Sequence, residues 1–143
     1  MPDNLRETIT DRLNEFYAIC SESTKGVLAE NVKTNLIDSL LDGSVYSVVN
    51  SLTHLQELKE TELLNQRYRR VRELGVDSED VQKVQAIDRN IMEQIDELVR
   101  EQQSNLCCVG LPFFKVTKDR EDIKIQIEII RFIQSLSDLF SEA

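Results

Sequence analysis

Ser44–Leu74 reads SVYSVVNSLTHLQELKETELLNQRYRRVREL, and Asp77–Leu106 reads DSEDVQKVQAIDRNIMEQIDELVREQQSNL, with only Gly75-Val76 between them. Neither stretch contains Gly or Pro. As helices they are each about 45 Å long, at about 1.5 Å per residue. Gly75 can take the left-handed backbone that closes a helix, and Asp77 is placed to cap the next one. So short a connection predicts a return of the second helix along the first, an αα-hairpin.

The apolar spacing supports that layout. Val45, Val48, Leu52 and Leu55 recur at intervals of three and four; the pattern lapses over Gln56–Glu62 and resumes at Leu64, Tyr68 and Val71. The second arm carries Val81, Val84, Ile87, Ile91, Ile95, Leu98 and Val99 on one stripe. Folding about Gly75-Val76 sets Val71 near Val81, Tyr68 near Val84, Leu64 near Ile87 and Leu52 near Val99. The seam is coiled-coil-like but short, as in a bundle.

Outward from the hairpin, Asp3–Glu22 predicts a helix capped by Asp3, with Leu5, Ile9, Leu13, Phe16, Tyr17 and Cys20 on one face. A break at Ser21–Thr24 and a short amphipathic piece follow, over Val27–Leu41, stopped at Asp42-Gly43. On the other side, Cys107–Val116 is apolar and holds Gly110 and Pro112, which predicts an extended buried connector rather than helix. A closing helix spans 119–140, capped by Thr117 or Asp119. Ile123, Ile125, Ile127 and Ile129 also alternate as a strand would, but some 20 residues without a turn signal favour helix. The expectation is one all-α domain over residues 1–143: a long antiparallel helical hairpin with N- and C-terminal helices packed on it.

Composition narrows the function. The 143 residues carry a net charge of −9, with 41% apolar and 30% charged residues. That balance suits a folded helical protein and argues against a general nucleic-acid or anionic-membrane binder. There is no leader-like segment, no apolar run of about 18 residues, and an odd count of three cysteines. These features predict a nuclear or cytoplasmic protein. A lone His54 and widely spaced glycines offer neither a zinc site nor a phosphate cradle. No catalytic, cofactor-binding or metal-ligating residue is assigned, and no small-molecule substrate is expected.

Two clusters invite a functional reading beside a structural one. Arg67, Arg69, Arg70 and Arg72, interrupted by Tyr68, suit either a phosphate or acidic partner, or a charged helix face supported by pairs such as Arg69–Glu73. Cys107-Cys108 before Phe113-Phe114 suits redox sensing or, preferably, packing among apolar residues. The closing helix is rich in apolar side chains on many sides, a surplus that suggests a partner or a second copy. Candidate partner-binding residues are therefore Phe113, Phe114, Ile129, Phe132, Phe140, Arg67, Arg69 and Arg70.

One set of blocks exceeds generic helix. Leu40-Leu41-Asp42-Gly43-Ser44-Val45 leads to Leu63-Leu64-Asn65-Gln66-Arg67; Gln102-Gln103-Ser104 ends the second arm; Phe114, Val116-Thr117 and Ile125-Gln126-Ile127 follow. In order and spacing these resemble the family of the gonadal protein and DiGeorge syndrome critical region protein six, from about Asn35 to Leu136. Between Arg72 and Arg89 the hairpin is shorter than the vertebrate pattern. The resemblance implies a small helical, coiled-coil-containing protein with a gonadal or developmental role, and it supplies no catalytic residues. The function expected is a non-catalytic helical adaptor or scaffold; the rival is a nuclear, nucleic-acid-associated factor acting through Arg67–Arg72.

Overall fold

The computed structural model describes residues 2–75 and 81–140. Among these residues there are helices and no strands: α1 (Pro2–Ile19), α2 (Glu22–Val27), α3 (Glu30–Leu40), α4 (Ser44–Glu73), α5 (Val81–Cys108), α6 (Arg120–Gln134) and α7 (Ser137–Phe140). The all-α class is as expected, and the alternating isoleucines lie in a helix. The chain divides into two compact units, residues 1–51 with 103–143, and residues 52–102.

In the first unit, local chemistry sets the helix ends. Asp3 lies inside α1 rather than at its cap, and α1 stops at Ile19, three residues short of the expected Glu22. Ser21 causes the break. Its backbone is extended and its hydroxyl accepts from the Thr24 amide, starting α2. The piece expected over Val27–Leu41 is split in the same way, with Ala29 extended ahead of α3. Gly43, at φ +73, follows α3 and leads directly into α4.

The start of the connector differs from expectation. Cys107 and Cys108 are the last helical residues of α5, and both are exposed. The stop is Gly110, at φ +87. Its amide bonds the Cys107 carbonyl, and the Leu111 amide reaches back to Leu106. This is a Schellman end, with buried Leu106 and Leu111 as its apolar pair. The irregular stretch begins only after this motif, and Val116 within it is 54% exposed.

The closing helix is two pieces. Asp119, not Thr117, is the cap, accepting from the Glu121 amide. Thr117 instead holds Asp119 by accepting its amide. The helix tightens at Ser135 and Leu136, whose amides bond carbonyls three residues back, and α7 follows. Of α6 and this turn, Ile125, Ile129, Ile130, Phe132, Ile133 and Leu136 are buried. At about 100° per residue these cover roughly 160° of the helix surface. The apolar surplus is largely absorbed inside the unit.

The other helices supply what covers it. α1 packs on α3, and α2 on α6. The Phe16 ring centre lies 5.0 Å from that of Phe132, and Tyr46 stacks on Phe140 at 5.2 Å. Arg6 pairs with Asp38, and Arg12 with Asp138 at 2.6 Å. These exposed pairs contribute little energy and mainly fix register.

The second unit is the pair formed by α4 and α5 over residues 52–102. Gly75 has the left-handed backbone expected, φ +96; Val76 and the expected cap Asp77 lie outside the described residues. Arg67 on α4 pairs with Asp88 on α5, and Arg70 donates to Asn90 at 2.8 Å. Nearer the start of α4, Lys59, Leu63 and Gln66 share a groove with Gln94 and Leu98. The two helices therefore run in opposite directions here. The seam is the expected one at Val71, Ile87, Ile91, Ile95 and Leu98, but not at Leu64, Tyr68 and Val81. Leu64, Tyr68 and Val81 are exposed at 58%, 65% and 58%. Leu63 is the buried leucine, clustered with Ile87 and Ile91, with Val71, Ile95 and Leu98 against them. Adjacent leucines point about 100° apart on a helix. Arg67, four residues after Leu63, lies on the same side of α4 and reaches Asp88 of α5 at the border of the cluster.

Candidate partner-binding surfaces

The first unit holds its joints with polar side chains. Glu128, on α6, accepts from the Thr24 hydroxyl at 2.6 Å and from the Ser21 amide and hydroxyl at 3.3 Å each. Burial pushes this carboxyl's pKa up, but the bonds from Thr24 and Ser21 outweigh it and hold the value below the ordinary range. The carboxylate thus anchors the N-terminus of α2 to α6. Burial, then the nearby Glu128 charge, pushes the Cys20 thiol up, away from reactivity.

A second joint fixes the connector. Gln103 on α5 and Gln126 on α6 are each 3% exposed. Gln103 Nε2 donates to Gln126 Oε1 at 2.9 Å and to the Thr117 carbonyl at 3.1 Å. Gln103 Oε1 accepts from the Thr117 amide at 3.1 Å, and Gln126 Nε2 donates to the Lys115 carbonyl at 3.1 Å. Irregular backbone beside a core thereby finds side-chain partners.

What remains open on this unit is the outward side of α1 and α6. A groove of about 540 Å³ is lined by Arg12, Glu15, Phe16, Ile19 and Arg131, among others. Ile19 is 86% exposed. A smaller groove of about 380 Å³ runs along α6, lined by Arg120, Ile123, Lys124, Ile127 and Glu128, and again Arg131. The spacing of four, three and four through Arg120, Lys124, Ile127 and Arg131 places them on one face.

The sequence-assigned residues do not gather into one site. Phe114, Ile129 and Phe132 are core side chains of the first unit, at 5%, 1% and 4% exposure. They fill the interior instead of presenting a face. Phe140 is half-buried on Tyr46. Phe113 is half-buried with a left-handed backbone, φ 70, unusual for an aromatic residue. In the second unit Arg67 is tied to Asp88, whose pKa the guanidinium's hydrogen bond holds low, while Arg69 and Arg70 are exposed. His54 is exposed on α4. Ile19, Arg120, Lys124 and Arg131 were missed; the only sequence signal was the 4-3-4 spacing on α6. No described helix is long and apolar enough to cross a membrane.

Residues 70–143 match the DiGeorge syndrome critical region 6 (DGCR6) protein family. The chain is 26% identical, over 153 aligned positions, to the gonadal protein gdl of Drosophila melanogaster, covering 92% of this chain and 79% of that protein. It is 22% identical over 170 positions to protein DGCR6 of Gallus gallus, covering 94% and 85%. Both alignments are longer than this chain, so the relatives carry residues that it lacks. No solved structure matches.

Proposed function

The chain belongs to the DiGeorge syndrome critical region 6 family, and on that footing we propose that it is a non-catalytic helical adaptor or scaffold that binds another protein through its second unit. One observation carries the reading. The cluster of this unit buries Leu63, Ile87 and Ile91, while Leu58, Leu64, Tyr68, Val81 and Met92 are each more than half exposed, from 54% to 65%. A helix pair with so thin a core gains from a partner that covers such side chains. The name of the fly relative supports a gonadal or developmental setting, and the proposed location is nuclear or cytoplasmic. The rival, nucleic-acid binding by the arginine cluster, has less support because Arg67 and Arg70 are engaged by Asp88 and Asn90.

The test is affinity purification of the full chain from gonadal tissue beside a Leu58→Glu, Met92→Glu variant of equal thermal stability. The adaptor reading expects one protein in stoichiometric amount with the wild type and lost with the variant. A wild-type chain that purifies as a monomer with nothing bound, at cellular concentration, overturns it.

A further inference from the structure

The first unit has a binding face of different chemistry, lying on residues that the second unit does not share. Its two grooves meet at Arg131. Ile19, 86% exposed, and Ile127, 43% exposed, provide the open apolar surface. Around them stand Arg12, Arg120, Lys124 and Arg131. Among the described residues Arg120, Lys124 and Arg131 form no ion pair within 4 Å, although Lys124 acts on the Glu128 charge, and Arg12 is paired with Asp138. The carboxylates lining the grooves are Glu15 and Glu128, the latter bonded to Ser21 and Thr24 and within reach of the Lys124 charge. Asp138 offsets Arg12, so the cations exceed the carboxylates by one. On a chain of net charge −9, this is a basic, apolar face.

We infer that the α1–α6 face docks an acidic amphipathic helix, whose leucine-type side chains cover Ile19 and Ile127 while its carboxylates meet Arg120, Lys124 and Arg131. The fit is one of period and charge. The basic and apolar positions on α6 recur every three or four residues over Arg120–Arg131, about 16 Å, matching roughly three turns of a second helix. A helix with glutamates beside its apolar stripe finds opposite charge along its length, and a basic helix finds repulsion. Paired guanidinium–carboxylate contacts at the rim give orientation, and the apolar centre gives affinity.

The experiment uses the full chain and two synthetic helical peptides of about four turns, one patterned with Leu and Glu, the other with Lys in place of each Glu. Fluorescence anisotropy reads binding, and isoleucine-methyl NMR reads location. The inference expects saturable binding of the Glu peptide with shifts at Ile19, Ile123 and Ile127, weakened at least tenfold by Arg120→Glu with Arg131→Glu. That charge-reversed chain should bind the Lys peptide instead, and Ile19→Glu alone should weaken the Glu peptide. No saturation, equal binding of the two peptides, indifference to charge reversal, or shifts confined to residues 52–102 would each overturn it. So would binding of phosphatidylserine vesicles or an oligonucleotide with no binding of the Glu peptide. Failure here leaves the second-unit reading standing, since that reading is tested by Leu58 and Met92.

Discussion

Replacing Gln126 by leucine tests the joint on which the connector hangs. The wild-type side chain accepts from Gln103 and donates to the Lys115 carbonyl. Gln126→Leu loses both bonds, at about 1 kcal/mol each, and leaves one Gln103 N–H in a buried site without its acceptor, which adds about 1–3 kcal/mol. Leucine's apolar surface returns part of this, so a net loss of about 2–3 kcal/mol is expected. Gln103→Leu loses three bonds, orphaning the buried Gln126 oxygen and the two Thr117 backbone groups. Thr117 is half-buried and can recruit water, which sets the expected loss at about 3–4 kcal/mol. The double variant removes the shared Gln103–Gln126 bond only once and leaves neither amide facing an apolar neighbour. Its loss should therefore be at least about 1 kcal/mol smaller than the sum of the two single losses. Urea unfolding followed by circular dichroism measures all four proteins. Single losses within 0.5 kcal/mol of zero, or strict additivity, would refute the claim that the amide pair fastens the connector.

The corrected seam of the second unit predicts that Leu63→Ala costs about 2–4 kcal/mol while Leu64→Ala stays within about 0.5 kcal/mol; chemical denaturation of each decides, and the reverse order would restore the expected register. A third prediction concerns acid. Glu128 has its folded pKa below the unfolded value, so its contribution is complete above about pH 4.3 and is lost as pH falls through the folded pKa. Asp88 and Asp138, held low by hydrogen bonds from Arg67 and Arg12, add slope of the same sign. Glu128→Gln keeps an acceptor for Thr24 and cannot titrate, so urea midpoints between pH 7 and pH 3 should fall less steeply than in the wild type; parallel curves would reject the anchoring role.

Much of the fold was legible because backbone chemistry announces itself locally. Gly43 and Gly75 were read as helix stops, and both have a positive φ. Gly110, which ends α5, also has one, but it was read as part of an extended connector. Residues whose orientation depends on the other helix were harder to read. Spacing within α4 alone favours Leu64, in line with Tyr68 and Val71, whereas packing against Ile87 and Ile91 of α5 buries Leu63. Arg67 itself was read as part of a basic cluster, since its contact with Asp88 becomes visible only with α5 beside it. The glutamines give a related case. They interrupt the apolar stripes of α5 and α6, so spacing passes over them, yet the Gln-Gln-Ser and Ile-Gln-Ile blocks that carry the family resemblance contain Gln103 and Gln126. In this chain backbone from the connector closes on these two amides.

The candidate face on the first unit was hidden for a different reason. Ile19 and Arg131 stand more than a hundred residues apart in a chain whose summed charge is strongly negative, and a composition count places such a chain among acidic proteins. Summed charge governs solubility and long-range steering; recognition over a Debye length of about 10 Å at 0.1 M salt is set by the charges within reach. The charges lining the α1–α6 grooves are Arg12, Arg120, Lys124 and Arg131 against Glu15 and Glu128, a local excess of cations on a chain of opposite net sign. The carboxylate that fastens α2 to α6 also lies within reach of Lys124, so the anchor and the face share one charged group.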